Sequence, residues 1–209
     1  MKTEIIKAIE QILAQKQRAL VFVCGFGGAG KSTFCKDLSS NFPDQSVVFE
    51  TDWYSKYATM DRRQRIRDAV DSGDAERIAN EENPLNWYDW NLWQSDLQTL
   101  MTSGSLTIIN GWSQATGEKE LNLELRIPES DKSVVLCDGL YLLHPEIRGL
   151  ADLRVLLDAP VDVVIERANK RDAHRSSAQY LSYKASLLRK YDEPYFNQYR
   201  IYADVVLKL

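Results

Sequence analysis

Gly25-Phe26-Gly27-Gly28-Ala29-Gly30-Lys31-Ser32-Thr33 is the stretch on which the reading of this chain turns. Its first eight residues satisfy G-x-x-x-x-G-K-[ST], the pattern of a phosphate-binding loop. Ahead of it, Ala19-Leu20-Val21-Phe22-Val23-Cys24 is a short apolar run rich in β-formers. After it, Thr33-Phe34-Cys35-Lys36-Asp37-Leu38 reads as helix, stopped by Asn41 and Pro43. Strand, loop and helix are the context the pattern needs. Glycines let successive N–H groups turn toward phosphate oxygens, and the helix N-terminus adds partial positive charge. Lys31 is placed to reach β- and γ-phosphates, and the Ser32 hydroxyl to ligate Mg²⁺.

Outward from the loop, strands and helices alternate. Strands are expected at Leu20–Cys24, Val47–Glu50, Val134–Cys137, Leu153–Leu157 and Asp204–Leu207. Most are short, β-branched and almost continuously apolar, as strands buried on both faces of a parallel sheet are. Helices are expected at Lys31–Ser40, Asp61–Asp71, Asp89–Ser103, Val161–Lys170 and Ser177–Tyr199. The N-terminal stretch carries Ile5, Ile6, Ile9, Ile12 and Leu13 at helical spacing and reads as a packed amphipathic helix over about residues 1–18. The fold class is therefore α/β in three layers, with a site at the carboxyl ends of the strands.

The interval between Glu50 and Val134 is too long for one crossover. Leu106–Gly111 and Leu121–Ile127 flank a turn-like Ser113–Gly117 and predict a hairpin apart from the main sheet. All five tryptophans, Trp53, Trp87, Trp90, Trp93 and Trp112, fall in this interval. Trp90 and Trp93 read as a small local core. Trp112, and less so Trp87, offer rings on which a substrate could stack.

Three further features carry chemistry. Thr51-Asp52-Trp53-Tyr54 follows a strand directly, and a phosphoryl transfer to a hydroxyl needs a carboxylate that orients the nucleophile and takes its proton; Asp52 is the candidate. A helix cap is the alternative for that residue. Val134-Val135-Leu136-Cys137-Asp138-Gly139 is an apolar strand ending in an acid, as expected of the residue that holds the Mg²⁺ shell. Arg167, Lys170, Arg171 and Arg175 form a basic cluster suited to a segment that closes over transferring phosphate, a solvated helix face being the plain alternative. Arg62, Arg63, Arg65 and Arg67, flanked by Asp61, Asp68 and Asp71, read as a solvated helix face.

Composition narrows the class. The chain has 209 residues, 44% apolar and 27% charged, with net charge −4, which fits one globular domain over 1–209 and argues against nucleic acid or an anionic membrane as main partner. No apolar run reaches membrane-spanning length. Three cysteines, Cys24, Cys35 and Cys137, without metal-ligand spacing fit a reducing cytoplasm.

Taken in order, GFGGAGKST, TDWY, VVLCDGLYLLHPEIRGLADLRVLLDAP, ERANKRD and KYDEPYFNQYRIYADVVL resemble the uridine kinase and phosphoribulokinase family of P-loop kinases, from about Val21 to the C-terminus. The resemblance implies a P-loop NTPase fold with a parallel five-stranded sheet, an acceptor-side insertion over about 53–130 and a lid over about 167–177. It implies ATP with Mg²⁺ as donor and a small-molecule alcohol as acceptor. By position, Gly25 to Thr33 and Arg167 would hold ATP, Ser32 and Asp138 the metal, and Asp52 would be the base. Lys31, Arg171 and Arg175 would act on the transferring group. Asp52, Tyr54, Trp87, Asp89 and Trp112 would face the acceptor. Homo-oligomers occur in that family and stay open here.

The acceptor half departs from the family pattern. Uridine-phosphorylating members carry a Tyr-Asp pair and then a histidine in the hairpin, whereas Asn110–Gly117 has neither that Asp nor that His. A family segment His-Pro-Asp-Ala-x-Asp stands here as Asn83-Pro84-Leu85-Asn86-Trp87-Tyr88-Asp89, one residue longer. A pocket that loses its hydrogen-bonding partners rejects the old substrate strongly. Another nucleoside, a sugar or a pantothenate-like alcohol is therefore expected. The rival from the same motif is an ATP-binding regulatory or scaffold protein without catalysis. A GTPase switch fits less well, because Asn169-Lys170-Arg171-Asp172 follows a predicted helix and no D-x-x-G occurs.

Overall fold

The computed structural model describes residues 2–174 and 176–209. By compactness the chain divides into two units: Met1–Phe49 with Ile127–Leu209, and Glu50–Arg126. In chain order the elements are α1 (Lys2–Gln15), β1 (Arg18–Gly25), α2 (Lys31–Ser39), β2 (Ser46–Glu50), α3 (Thr59–Ser72), α4 (Ala75–Glu82) and α5 (Trp90–Ser103). There follow β3 (Ser105–Trp112), β4 (Lys119–Arg126), β5 (Ser133–Gly139), β6 (Leu153–Asp158), α6 (Val161–Asp172), α7 (Ala178–Leu187), α8 (Glu193–Tyr199) and β7 (Val205–Lys208).

The first unit is a five-stranded parallel sheet in the order β2-β5-β1-β6-β7, flanked by helices. The α/β P-loop fold expected from the motifs is the fold observed. Every residue of β5, and all of β1 beyond Arg18, is buried, which is why these strands carry no polar alternation. Phe22, Phe49, Leu136 and Leu142 are among the largest fully buried side chains. α1 presents Ile5, Ile9 and Leu13 to this core from one stripe.

The helix read over Ser177–Tyr199 is two helices joined by a π-helical turn, Leu188–Asp192. Pro194, in the first turn of α8, supplies the reason. Its ring crowds the carbonyl four residues back and it has no N–H to give, so the turn ahead of it widens rather than continuing as α-helix.

The second unit contains α3, α4, α5 and the separate antiparallel β3–β4 hairpin. Trp93 is fully buried there with Leu97 and Leu100, and Trp90 meets Trp93 edge-on at 5.8 Å, so this pair is local core. α4 was not set apart in the sequence reading, since Ala75–Glu82 is only eight residues long and holds one large apolar residue, Ile78. Asp74 caps it, accepting from the Glu76 and Arg77 amides. The arginines of α3 are not simply a solvated face. Arg62 lies 4.4 Å over the Trp87 ring, and Arg65 lies over Tyr57 while donating from Nε and Nη2 to Glu81 at 3.0 and 2.6 Å. They tie α3 to the segment around α4.

Candidate functional site

In the sheet unit the phosphate-binding loop leaves β1 at Gly25, where a side chain would not fit: an added Cβ would stand 2.8 Å from the Leu157 carbonyl oxygen of the neighbouring strand. The loop closes on itself through the Ala29 amide, which donates to the Phe26 carbonyl at 3.0 Å. Gly30 enters α2 in the left-handed region at φ 91°, and no side chain caps the helix. The first-turn amides of α2 thus point from a helix start with no acidic residue, the arrangement that receives an anion.

Lys31 is 8% exposed, and its Nζ donates to the Phe26 carbonyl at 3.2 Å. Ser32 Oγ donates to Asp138 Oδ2 at 2.5 Å. The sheet register explains the meeting, because Val23 of β1 pairs with Asp138 of β5 and Cys24 with Gly139, setting the carboxylate beside the end of the strand from which the loop leaves. Asp138 is buried. The structure therefore brings together Lys31, Ser32 and Asp138, which lie 106 residues apart in the case of the last pair.

Three residues that the sequence reading did not single out, Asp192, Tyr141 and Phe196, stand beside them. Asp192, in the π-helical turn, is buried and accepts a hydrogen bond from Tyr141 Oη. Burial pushes its carboxyl up to about 6, against the opposing pull of the Tyr141 hydrogen bond and the Lys31 charge. The Phe26 ring of the loop meets Phe196 of α8 at 4.3 Å. The signals were faint: a tyrosine three places after Asp138, and an acid two places before Pro194. The three cysteines are buried, free thiols, and burial pushes Cys24 up to about 12.

The arginines lie at the end of α6. Arg167 is exposed. Arg171 donates from Nε and Nη2 to the two oxygens of buried Asp172 at 2.9 and 3.2 Å, and Lys184 Nζ reaches the same carboxylate at 2.7 Å. Arg175 lies outside the described residues.

The acceptor-side candidates belong to the second unit. β2 runs into a 3₁₀ turn, Thr51–Tyr54, which carries Asp52 half-buried. Asp52 caps no helix here; its Oδ1 accepts from Tyr88 Oη at 3.0 Å. Tyr54 is buried and donates to Asp96 at 2.8 Å, and burial raises the Asp96 carboxyl although that hydrogen bond opposes it. Trp87 Nε1 donates to the Glu81 carbonyl at 2.7 Å. Asp89 caps α5 by accepting from the Leu92 amide at 3.0 Å. Trp112 Nε1 donates to the Gly117 carbonyl at 3.1 Å across the hairpin turn. Thus Tyr88, unremarked in the sequence between Trp87 and Asp89, is the residue that reaches Asp52.

Among the described residues no helix is long and apolar enough to cross a membrane, and no group of three or more His, Cys, Asp or Glu side chains is placed to hold a metal ion. A Mg²⁺ ion does not need such a group, since one or two protein oxygens with water and phosphate suffice. The adjacent oxygens of Ser32 and Asp138 suit that hard cation.

Comparison with known proteins bears on the family and the fold. A uridine kinase of Clostridium perfringens is 23% identical over 206 residues, covering 92% of this chain and 88% of its own. A uridine kinase of Ureaplasma parvum is 22% identical over 172 residues, covering 80% of this chain and 75% of its own. The structure of a phosphoribulokinase from Rhodobacter spheroides superposes with a TM-score of 0.62 at 16% identity, over 92% of this chain and 70% of that one, a likeness of fold. The model of the phosphoribulokinase/uridine kinase family matches residues 20–206, from the second residue of the first apolar run into the last strand, and by that span the chain belongs to this family.

Proposed function

We propose that this protein is an ATP-dependent phosphotransferase acting on a hydroxyl of a small molecule other than uridine. The observation that carries the reading is Ser32 Oγ on Asp138 at 2.5 Å, set beside buried Lys31 at an uncapped helix start. Ser32 and Asp138 would hold Mg²⁺, Asp138 through water. The ion, when bound, neutralises charge on the β- and γ-phosphate oxygens. Loop amides from Gly25 to Thr33 bind the phosphate chain, and Lys31 leaves its Phe26 contact for phosphate oxygens. Asp52 orients the acceptor hydroxyl and accepts its proton as the new P–O bond forms. Arg167, Arg171 and Arg175 offset the charge of the transferring group, with Arg171 exchanging Asp172 for phosphate. Tyr54, Trp87, Asp89 and Trp112 belong to the acceptor side.

The uridine kinase relatives support the nucleoside-like or sugar-like class of acceptor. The hairpin Asn110–Gly117, without the Asp and His of uridine-phosphorylating members, argues against uridine itself. Reduced, buried cysteines suit a reducing compartment such as cytoplasm.

The test is ADP release from Mg²⁺–ATP with nucleosides, sugars, pantothenate and phosphosugars, uridine included, using Lys31→Ala as control. Acceptor-dependent release that disappears in Lys31→Ala is expected. ATP binding with no acceptor-dependent release would favour a regulatory ATP-binding protein. Efficient release with uridine would show that the altered hairpin still recognises it.

A further inference from the structure

We propose that Tyr88 is a positioning residue for Asp52: its phenol fixes the carboxylate plane and leaves one oxygen for the acceptor hydroxyl. The inference rests on the assignment of Asp52 as the base.

A lone carboxylate on a surface turn rotates about its last side-chain bond and presents its oxygens in many directions. Here Tyr88 Oη donates to Asp52 Oδ1 at 3.0 Å. That bond leaves the lone pairs of Oδ2 to receive another hydroxyl proton. The backbone that carries the phenol is pinned on both sides of Tyr88. Ser55 and Tyr88 form an antiparallel bridge. The Lys56 amide donates to the Trp87 carbonyl at 2.7 Å, and the Asp89 amide donates to the Tyr54 carbonyl at 2.9 Å. These contacts join the residues just after Asp52 to the residues on either side of Tyr88. The ring also meets Trp90 at 5.4 Å. Trp90 in turn donates its Nε1 to the Leu85 carbonyl at 2.9 Å, which fixes the ring that Tyr88 rests on. The turn and the tyrosine thus move as one piece, and the hydrogen bond is delivered by the fold rather than by a freely swinging side chain. Orientation of a reacting group is worth large factors in rate, and a slight misplacement costs much of it.

Two measurements test this. In protein labelled at tyrosine ¹³Cζ, the Tyr88 resonance, identified by its loss in Tyr88→Phe, is expected to move in Asp52→Asn; an unmoved resonance means the bond is not made in solution and ends the proposal. In turnover with Mg²⁺–ATP and the best acceptor of the panel above, Tyr88→Phe is expected to lower kcat about tenfold while the KM for ATP stays within about twofold. Combined with Asp52→Asn, it should add less than about twofold, because it acts through that carboxylate. A full tenfold cost repeated in the Asp52→Asn background would show a merely structural tyrosine. Asp52→Asn with wild-type turnover would remove the base assignment itself, whereas an impaired Asp52→Asn beside a normal Tyr88→Phe removes only the role of Tyr88.

Discussion

Asp192 is a buried acid, and its titration leaves a mark on stability. Its folded value is about 6 against an ordinary 3.8, burial being the main cause. Below the ordinary value the carboxyl is protonated folded or unfolded and costs nothing. As pH rises through the folded value, the folded protein must carry a buried carboxylate, and about 3 kcal/mol of stability is lost. Asp192→Asn keeps an acceptor for the Tyr141 hydroxyl without the charge. Its thermal midpoint should therefore gain on wild type by several degrees between pH 4 and pH 7.5; a constant difference across that range would contradict the assignment. At the other end of the loop, Asp138→Asn is expected to raise the Mg²⁺ needed for half-maximal turnover about tenfold or more, read from a Mg²⁺ titration. Lys31, Ser32 and Asp138 were legible because their spacing and flanks are dictated by phosphate and strand geometry. Asp192, Tyr141 and Tyr88 were not, because a single polar residue among aromatics has no period, and only the fold shows what it touches.

Asp89 does its visible work at the start of α5, where its side chain accepts from the Leu92 amide. Asparagine caps nearly as well as aspartate, and alanine does not. Asp89→Ala should thus cost about 1 kcal/mol in denaturant unfolding, and Asp89→Asn less than about 0.5 kcal/mol. Any loss of acceptor affinity in Asp89→Asn would then report on the charge alone. The elements that were legible had a period or a continuous apolar run: β1, β5, β6 and α5. α4 had a good cap but only eight residues and one large apolar side chain, so its N-terminus was readable and its body was not. The π-helical turn was hidden for the opposite reason, since the residues around it continue a helical pattern and only the position of Pro194 interrupts the hydrogen bonding.

For the whole molecule, ligand binding should appear as stability. A non-hydrolysable ATP analogue with Mg²⁺, at about 100 times its dissociation constant, should stabilise the protein by about 2.7 kcal/mol, and Lys31→Ala should abolish the gain at the same concentration. Differential scanning calorimetry reads both. The parallel sheet with its loop could be read from sequence because it depends on local pattern. The order β2-β5-β1-β6-β7 could not, since it depends on which strands meet across long stretches of chain. That order also bears on how the protein is made. β1 pairs only with β5 and β6, and Arg18 finds its partner at Ser133. While the ribosome is still translating the residues before Ser133, the strand that carries the nucleotide loop has neither of its neighbours. A nascent chain halted there exposes Leu20, Val21, Phe22 and Val23, all buried in the finished protein, as an open sticky edge. The first functional motif to be synthesised is thus left without its sheet partners until β5 and β6 have been made.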